Sequence, residues 1–566
     1  MPTEKKLTGY PSIDKPWLKY YSEEAINAPL PEYTIYEYLW ENNKDHLDDI
    51  ALIYFGKKIT YGELFENIDK AARAFAAIGI KNNDIVVLCT LNTPEMIYCT
   101  YALNKIGAVP SFEYPTLSDR DMCKAIKEMD VKLLILLDLF IDKYSEACKS
   151  APHIIAISPS ESMDPITKFM YNMKVKTKTA KHSFECFSSF IKSKKADFKL
   201  NTQHTKTAIL VHTGGTTGVP KSVALSDDNF NSVAYQYKIS GMDYSRQDTI
   251  LHCIPPFHAY GFSVGVHMPL TLGMTICMSL KIDNDSIANL FAKIKPNHFV
   301  GAGPHVSAII SNKRVEKLNL SHMKTIAIGG AATNDVQEST VNKFLRKHGS
   351  HIVLVVGFGM TEACATVCTN MNHCNKTGSV GIPLSKNNIK IINTETQKEL
   401  PYNSMGELLI SSPSVMVEYY QNAEETQKAI SFDENNVRWI HTGDLATIDN
   451  DGFLFINGRL KRICTTKDNN GMVYKLYPDF IEQTVSQMEE VLSCAAICKP
   501  DNKRVNIPIL FAVISNKIIE NSILDYCKES LPEHMIPEKI IIKDSLPLTT
   551  VGKVDYRALE KEAEKL

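Results

Sequence analysis

The chain has 566 residues, of which 44% are hydrophobic and 22% charged, and its formal net charge is −2 at pH 7. That length predicts several packed lobes rather than one core. The near-neutral charge argues against a general nucleic-acid-binding protein, which usually carries a basic excess. The 14 cysteines are scattered without a Cys-x-x-Cys pair, so we expect reduced core cysteines rather than zinc ligands.

The hydropathy pattern of the chain indicates neither export nor insertion into a membrane. No apolar run follows Lys5 and Lys6, so Met1–Tyr10 is not a signal peptide. The most apolar stretch, Leu133–Ile141, is interrupted by Asp138 and is too short to span a bilayer. We therefore expect a cytoplasmic protein with no integral membrane segment. Peripheral association with a membrane stays open, without support from these patterns.

Short apolar runs alternate with helical patterns along the chain. Apolar residues at three- and four-residue steps predict helices at Tyr61–Ala77 and Pro94–Ile106. Strands that alternate with helices predict α/β layers with largely parallel sheets. The predicted strands are Ile85–Cys89, Leu133–Leu137, Ile154–Ile157, Ala208–Val211, Ile250–Ile254 and Ile326–Ile328.

A change of pattern near Asn457 predicts a domain boundary. We expect a large N-terminal domain of layered α/β sheets over residues 1–458 and a small, mobile C-terminal α+β domain over residues 459–566. The second domain is predicted to contain the helix Pro478–Glu490 and the strands Ile509–Ile514 and Lys539–Ile542.

A loop rich in glycine and threonine follows the predicted strand at Ala208–Val211. Thr213–Lys221 reads TGGTTGVPK, and its exposed N–H groups and hydroxyls are suited to phosphate oxygens, with a cation at Lys221. It is not the usual phosphate loop of nucleotide hydrolases, because Pro220 stands where that loop has glycine. A plain Gly/Thr turn is the alternative interpretation.

A second segment, Gly357–Glu362 (GFGMTE), follows a strand predicted at His351–Val356. Ligands collect at the carboxyl edge of sheets in α/β proteins. There Phe358 is suited to stack on a purine, Thr361 to bond a phosphate, and Glu362 to hold a magnesium ion. A core phenylalanine beside a capping Thr–Glu pair is the alternative.

Three further segments carry polar groups suited to a nucleotide. The aspartate in His441–Leu445 (HTGDL) is suited to accept hydrogen bonds from two ribose hydroxyls. A turn is the alternative interpretation of the same residues. Gly458–Arg462 (GRLKR) lies at the domain joint. Leu546–Arg557 (LPLTTVGKVDYR) places a lysine directly after a glycine near the C-terminus, and that lysine is suited to enter another domain's cleft. Solvated basic residues are the alternative for both.

In this order, the five segments resemble the adenylate-forming superfamily, which includes acyl-CoA synthetases, firefly luciferase and nonribosomal peptide adenylation domains. The resemblance runs from about Tyr54 to Arg557 and includes Thr60–Leu64 (TYGEL) and Gly107–Pro110 (GAVP). It is greatest to acid–CoA ligases. It implies an enzyme that uses ATP to activate a carboxylic acid as acyl-AMP and then passes the acyl group to a thiol, with Mg²⁺ as cofactor and CoA as co-substrate.

The resemblance also implies roles for single residues. Lys553 matches the lysine that bridges the acid carboxylate and the α-phosphate, and Lys461 matches the hinge. Glu362 and Thr217 match magnesium positions, and Thr361 a nucleotide position. Further nucleotide contacts are implied for Thr213, Gly214, Gly215, Thr216, Thr217, Gly218 and Lys221 at the phosphates, Gly329, Gly330, Ala331 and Phe358 at the adenine, and Asp444 and Arg459 at the ribose.

Beyond Lys461 the sequence departs from the family pattern GRxKxxIKxxGxxVxP. The matching stretch, GRLKRICTTKDNNGMVYKLYP, is longer, with Cys464 where isoleucine is frequent and Thr465 where lysine is frequent. Whether Lys467 or Lys475 replaces the missing charge stays open.

The segment Ile254–Phe262 (IPPFHAYGF) bears on the acid. His258 stands where amino-acid-activating relatives usually carry aspartate, which disfavours amino acids; a core histidine is the alternative. Small residues leave room for an apolar acid, either a medium-chain fatty acid or an aromatic acid. The expected substrate contacts are His258, Tyr260, Phe262, Gly301, Gly303 and Gly357. A carrier-protein thiol as acceptor, and a catalytically inactive ligand-binding relative, are the rival hypotheses.

Overall fold

The computed structural model describes residues 7–174, 184–213, 221–281, 283–330, 335–468, 472–515, 520–549 and 553–565. The strands, in chain order, are β1 Ile50–Tyr54, β2 Lys57–Thr60, β3 Ile85–Cys89, β4 Val109–Phe112, β5 Leu133–Leu137, β6 Ile154–Ile157, β7 Glu185–Cys186, β8 Thr207–His212, β9 Ser222–Ser226, β10 Thr249–His252, β11 Thr275–Met278, β12 His298–Gly301, β13 Thr325–Ile328, β14 Leu354–Met360, β15 Ala365–Thr369, β16 Ile382–Pro383, β17 Asn388–Ile392, β18 Gly406–Ser411, β19 Glu418–Tyr419, β20 Ile430–Phe432, β21 Arg438–Ile448, β22 Leu454–Arg459, β23 Cys464–Lys467, β24 Val473–Leu476, β25 Val491–Asp501, β26 Val505–Ile514 and β27 Lys539–Ile542.

The α-helices, in chain order, are α1 Pro11–Asp14, α2 Glu23–Asn27, α3 Ile35–Asn43, α4 Tyr61–Ala77, α5 Pro94–Ile106, α6 Asp119–Glu128, α7 Ser145–Ser150, α8 Pro165–Lys174, α9 Phe187–Ser193, α10 Asp227–Lys238, α11 Ala259–Phe262, α12 Met268–Thr271, α13 Asn284–Ile294, α14 Gly303–Ile310, α15 Asp335–Lys347, α16 Ala423–Ala429, α17 Pro478–Val485, α18 Glu520–Ser530 and α19 Tyr556–Ala563. Among the described residues, no helix combines the length and the apolar character needed to cross a bilayer.

Local capping contacts set the ends of two of the helices. Helix α4 begins with a capping box in which Thr60 and Glu63 each bond the other's backbone N–H. Helix α5 begins after the Thr93 side chain accepts a hydrogen bond from Met96 N, and it ends where Gly107 takes a φ of 81°. Both helices have the predicted bounds, because these ends are set by local chemistry.

Two large sheets form the N-terminal part. The first has eight strands in the order β19-β9-β8-β4-β3-β5-β6-β7, and the second has nine in the order β16-β15-β14-β13-β12-β10-β11-β1-β2. Their central strands pair in parallel, as β3 does with β4 and β5. Helices cover both sheets around a large apolar core, so the predicted α/β layering is confirmed.

A third sheet and the C-terminal elements complete the fold. The third sheet has the order β17-β18-β21-β20, with β22 on β21. After Arg459 the chain forms the two-stranded β23-β24 and the three-stranded β25-β26-β27. Two apolar clusters of their own, which include Ile481, Leu510 and Leu559, hold these last elements together.

Some predicted elements differ from the structure. Strand β10 ends at His252 rather than Ile254, and β26 begins at Val505 rather than Ile509. Helix α17 ends at Val485 rather than Glu490. Strand β14 starts at Leu354 and continues through the GFGM segment to Met360, because β15 supplies hydrogen-bonding partners alongside it. Strand β21 runs through HTGDL, so that segment is not a turn; Gly443 takes a φ of 68° within it.

The expectation of reduced cysteines is wrong for one pair. A disulfide joins Cys464 on β23 to Cys498 on β25, with the two Cα atoms 6.6 Å apart. The other twelve cysteines are free. The pairing depends on how β23 packs beside the three-stranded sheet. The two cysteines are 34 residues apart, and no sequence pattern indicates that they pair.

Candidate active site

The two ends of the glycine- and threonine-rich segment are held together. Strands β8 and β9 pair in antiparallel fashion; Thr213 N donates to Lys221 O at 2.9 Å, and Lys221 N donates to Thr213 Oγ1 at 3.1 Å. The segment is therefore a hairpin connection at the end of these strands. The predicted contacts Gly214, Gly215, Thr216, Thr217, Gly218 and, further along the chain, Ala331 lie outside the described residues.

A buried histidine, His212, lies at the end of β8 next to this hairpin connection. The His212 ring lies 2.7 Å from the Glu113 carboxylate and 3.1 Å from Ser222 Oγ, and the Tyr114 hydroxyl donates to His212 O at 2.7 Å. Burial lowers the pKa of His212, but the Glu113 carboxylate outweighs it, so the pKa is raised from its usual 6.5. Sequence reasoning missed this cluster, because Glu113 directly follows β4 and His212 ends β8, and these two strands meet only in the fold.

Lys221 and Glu362 are connected through a tyrosine. The Lys221 ammonium forms an ion pair with Glu425 and lies 4.6 Å from the centre of the Tyr419 ring. The Tyr419 hydroxyl donates to Glu362 Oε1 at 2.8 Å. Tyr419 and Glu425 were not among the predicted site residues, since a Tyr or Glu outside the motifs has no distinguishing sequence pattern.

Asp444 and Arg459 face each other across β21 and β22. Arg459 Nε lies 2.8 Å from Asp444 Oδ1, whereas Asp444 Oδ2 is buried and has no hydrogen-bond partner among the described residues. Burial raises the pKa of Asp444 to about 6, although Arg459 opposes this. A buried carboxylate oxygen without a partner fits a ligand hydroxyl, because leaving it unpaired costs stability.

The C-terminal lysine reaches the same cleft. Thr549 N donates to Lys553 O at 2.6 Å, which fixes the ends of the short segment before Lys553. Burial lowers the pKa of His258 and the Lys553 charge lowers it further, whereas burial raises the pKa of Asp444 and the Lys553 charge opposes that rise. Burial by the surrounding protein lowers the pKa of Lys553, and the Arg459 charge lowers it further. The Asp444 and Glu362 carboxylates oppose that change. The Lys553 ammonium therefore lies within electrostatic reach of Asp444, Glu362 and His258.

Two of the expected substrate residues lie close to the cleft, and a third lies in the core. His258 precedes α11, and burial followed by the Lys553 charge lowers its pKa to about 4, so its ring is neutral at pH 7. The Tyr260 ring lies against Gly329, where an added Cβ would be 3.6 Å away. Phe262 is fully buried, with the rings of Phe112 and Phe230 each centred 5.4 Å from its own.

The remaining predicted residues lie at the carboxyl edge of the nine-stranded sheet or at the domain joint. A Cβ on Gly301 would meet the Phe299 ring at 2.5 Å, so core packing requires glycine there. Phe358 is half-buried against the main core. The others are Gly303 at the start of α14, Gly330 two residues after the end of β13, Gly357 on β14, Thr361 in the 3₁₀ turn Thr361–Ala363, and the exposed Lys461 in the 3₁₀ turn Leu460–Arg462.

Glu362 is the carboxylate that the sequence predicts for magnesium. No cluster of three or more His, Cys, Asp or Glu side chains suited to a metal occurs within the described ranges. Magnesium commonly takes one or two carboxylates together with substrate phosphate oxygens and water. A single carboxylate that Tyr419 connects to Lys221 could therefore hold a magnesium ion that a nucleotide carries.

The fold combines a large N-terminal α/β part with a smaller C-terminal part. The chain belongs to the AMP-binding enzyme family: the family model matches residues 39–420, and the model of the family's C-terminal domain matches residues 481–553. The resemblance to adenylate-forming enzymes is thereby confirmed.

Similar proteins include two curated ligases and one solved structure. The chain is 25% identical to a long-chain-fatty-acid–CoA ligase of Bacillus subtilis (strain 168), over 97% of this chain and 98% of that protein. It is 27% identical to 4-coumarate–CoA ligase CCL1 of Humulus lupulus, over 92% of each. ATP-bound MatB from Rhodopseudomonas palustris shares the fold, with a TM-score of 0.80 at 21% identity over 94% of this chain and 99% of that one.

Proposed function

We propose that this protein is an ATP-dependent acid–CoA ligase. In the first half-reaction, a carboxylate oxygen of the acid attacks the α-phosphorus of ATP, and the bond to pyrophosphate breaks to leave acyl-AMP. In the second, the CoA thiol, having lost its proton, attacks the acyl carbonyl carbon, and AMP leaves. The products are acyl-CoA, AMP and pyrophosphate.

The observation that supports this proposal most is the position of Lys553. Two anions, the acid and the α-phosphate, must meet in the first half-reaction, and a fixed cation between them stabilises the transition state more than the ground state. Lys553 acts electrostatically on Asp444 and His258. That influence on both residues fits a cation that bridges the nucleotide and the acid.

The other polar residues each fit a different part of the nucleotide. Asp444 Oδ2 is free to accept a ribose hydroxyl. Lys221 is placed at the end of the hairpin to neutralise the leaving pyrophosphate. Glu362, held by Tyr419, fits magnesium, which supplies positive charge to the phosphate oxygens when bound.

The domain movement is part of the proposal. We place the boundary between residues 458 and 459 and the hinge at Lys461, which lies in the exposed turn between the third sheet and the β23-β24 hairpin. Rotation there withdraws Lys553 and admits the thiol after acyl-AMP has formed.

An apolar acid, either a medium-chain fatty acid or an aromatic acid, is the proposed substrate class. The neutral His258 ring carries no charge to hold a second ionic group of the acid. Tyr260 beside Gly329 offers an aromatic wall. The names of the similar ligases include both a fatty acid and an aromatic acid.

The experiment is pyrophosphate release across fatty, aromatic and amino acids, with and without CoA. We expect release that depends on an apolar acid, and acyl-CoA formation when CoA is added. Release without acyl-CoA, together with thioester formation on a carrier protein's phosphopantetheine, would move the acceptor to a carrier. No release with any acid would contradict ligase activity and favour a ligand-binding relative.

A further inference from the structure

One carboxylate on helix α17 holds the chain on both sides of the proposed hinge. Asp479 Oδ2 accepts a hydrogen bond from Arg459 N, at the end of β22, at 3.1 Å. Asp479 Oδ1 forms an ion pair with the Arg462 guanidinium. Lys461, the proposed hinge residue, lies between these two partners in the chain. The two oxygens of Asp479 therefore connect the chain before the hinge to the chain after it.

A second contact of α17 also reaches β22. Gln483 Nε2 donates to Ile456 O at 3.3 Å. Asp479 and Gln483 are four residues apart, which places them on one face of the helix. A Cβ on Gly458 would lie 2.8 Å from Asp479 Cβ, so a side chain at position 458 would push α17 away from the strand. This face of α17 therefore rests directly on the last strand before the hinge.

Helix α17 is also joined to the segment that carries Lys553. The Arg462 guanidinium donates to Glu482 Oε1 at 2.6 Å, and its Cζ atom lies 3.8 Å from the centre of the Tyr556 ring. The Tyr556 hydroxyl donates to Glu482 Oε2 at 3.1 Å. Tyr556 follows Lys553 by three residues. A displacement of α17 is therefore expected to move Lys553 as well.

We propose that Asp479 and Gln483 are positioning residues whose two hydrogen bonds to β22, here called the latch, hold Lys553 in the arrangement that forms acyl-AMP. This role rests on the proposed ligase function and its hinge at Lys461. Rotation at the hinge moves α17 away from β22, so both bonds break before the thiol is admitted. The pair of Asp479 with Arg462 lies after the hinge and stays intact, which keeps the carboxylate paired in both arrangements.

The strength of the latch suits repeated opening. A hydrogen bond to a charged group shifts an equilibrium about 10- to 150-fold, and one between neutral groups shifts it about 2- to 10-fold. Removing either bond should therefore lower the share of molecules in the adenylate-forming arrangement without abolishing that arrangement.

The test measures both half-reactions of Asp479→Ala and Gln483→Ala. We expect acid-dependent pyrophosphate release to fall about tenfold in Asp479→Ala and about threefold in Gln483→Ala. Transfer from supplied acyl-AMP to CoA should stay at or above the wild-type rate in both. Gln483→Ala is included because the Asp479 charge also acts on the Asp444 carboxyl, whereas Gln483 is neutral. Asp479→Asn keeps an oxygen that can accept from the backbone, so it should retain more pyrophosphate release than Asp479→Ala.

Cleavage by trypsin at the hinge is a measurement that needs no ligase activity. Lys461 is exposed, and a protease cuts faster where the chain opens locally. Without any ligand, we expect cleavage after Lys461 to be at least about threefold faster in Asp479→Ala than in the wild type. If no acid supports pyrophosphate release, the proposed function fails, and the cleavage rates still decide whether the latch exists.

Glu538→Ala is the matched control. Glu538 pairs with Arg504 at 3.2 Å, and both residues follow the hinge, so this pair does not cross it. Its loss should leave both half-reactions and the cleavage rate unchanged. Equal loss of both half-reactions in Asp479→Ala would make that residue purely structural and overturn the proposal. Wild-type pyrophosphate release, or wild-type cleavage at Lys461, in Asp479→Ala would overturn it as well.

Discussion

Replacing Asp444 by asparagine tests the nucleotide side of the site. The carboxylate is 3% exposed, and its Oδ2 atom has no partner among the described residues. A ribose hydroxyl that donates to it makes a hydrogen bond to a charged group, worth about 1.5–3 kcal/mol. Asp444→Asn keeps the side-chain size and removes the charge. We therefore expect the KM for ATP to rise about 10- to 150-fold in a pyrophosphate-release assay.

The same variant has a pH signature. Burial raises the pKa of Asp444 to about 6, so the wild-type carboxylate takes up a proton and loses its charge as the pH falls through 6. The KM for ATP of the wild type should rise over that interval. Asp444→Asn has no proton to take up at this position, so its KM should not show that rise.

Asp444→Asn should stabilise the folded protein at pH 7, although it weakens the binding of ATP. A carboxyl whose pKa is raised in the folded state costs stability when ionised; the cost is full above the folded pKa and is relieved as the pH falls through it. The rise from 3.8 to about 6 corresponds to about 3 kcal/mol at pH 7. Asp444→Asn should therefore unfold at a higher temperature than the wild type at pH 7, and the difference should shrink below pH 6.

Asp248→Asn is the control for a buried carboxylate outside the site. Burial alone would raise the pKa of Asp248, but His298 and Lys324 hold it below the usual value, so its loss should lower the unfolding temperature and leave the KM for ATP unchanged. An Asp444→Asn variant with an unchanged KM and a lower unfolding temperature would refute the ribose role and make Asp444 a purely structural partner of Arg459.

Three further predictions address contacts around the cleft. Tyr419→Phe keeps the ring beside Lys221 but removes the hydroxyl from Glu362, so the magnesium concentration at half-maximal pyrophosphate release should rise about tenfold; an unchanged magnesium curve would contradict it. Glu425→Gln removes the anion that holds Lys221, so the KM for ATP should fall, and a rise would show that the pair positions the lysine for catalysis. Cys464→Ser opens a disulfide that spans 34 residues and should cost the oxidised protein about 4 kcal/mol of unfolding free energy; equal unfolding temperatures for the oxidised wild type and the variant would contradict it.

Local chemistry explains what the sequence predicts well. Helices α4 and α5 have their predicted bounds, because Thr60, Thr93 and Gly107 cap them. The order of the motifs predicts the family, since each motif is a short run of neighbouring residues. The same motifs predict Asp444 and Lys553 as site residues, and in the structure the charge of each acts on the other.

Contacts between distant segments could not be predicted. Tyr419 reaches Glu362 only because β19 pairs with β9 at the edge of the eight-stranded sheet. The extension of β14 through GFGM depends on β15, and the disulfide at Cys464 depends on how β23 packs near β25.

The most direct test of the ligase mechanism measures both half-reactions of Lys553→Ala. The account predicts that adenylate formation, followed as acid-dependent pyrophosphate release, falls by about 10²–10³ or more. Transfer of the acyl group from supplied acyl-AMP to CoA should stay near the wild-type rate, because the lysine is withdrawn in that step. Equal loss in both assays, or full adenylate formation without the lysine, would contradict the account.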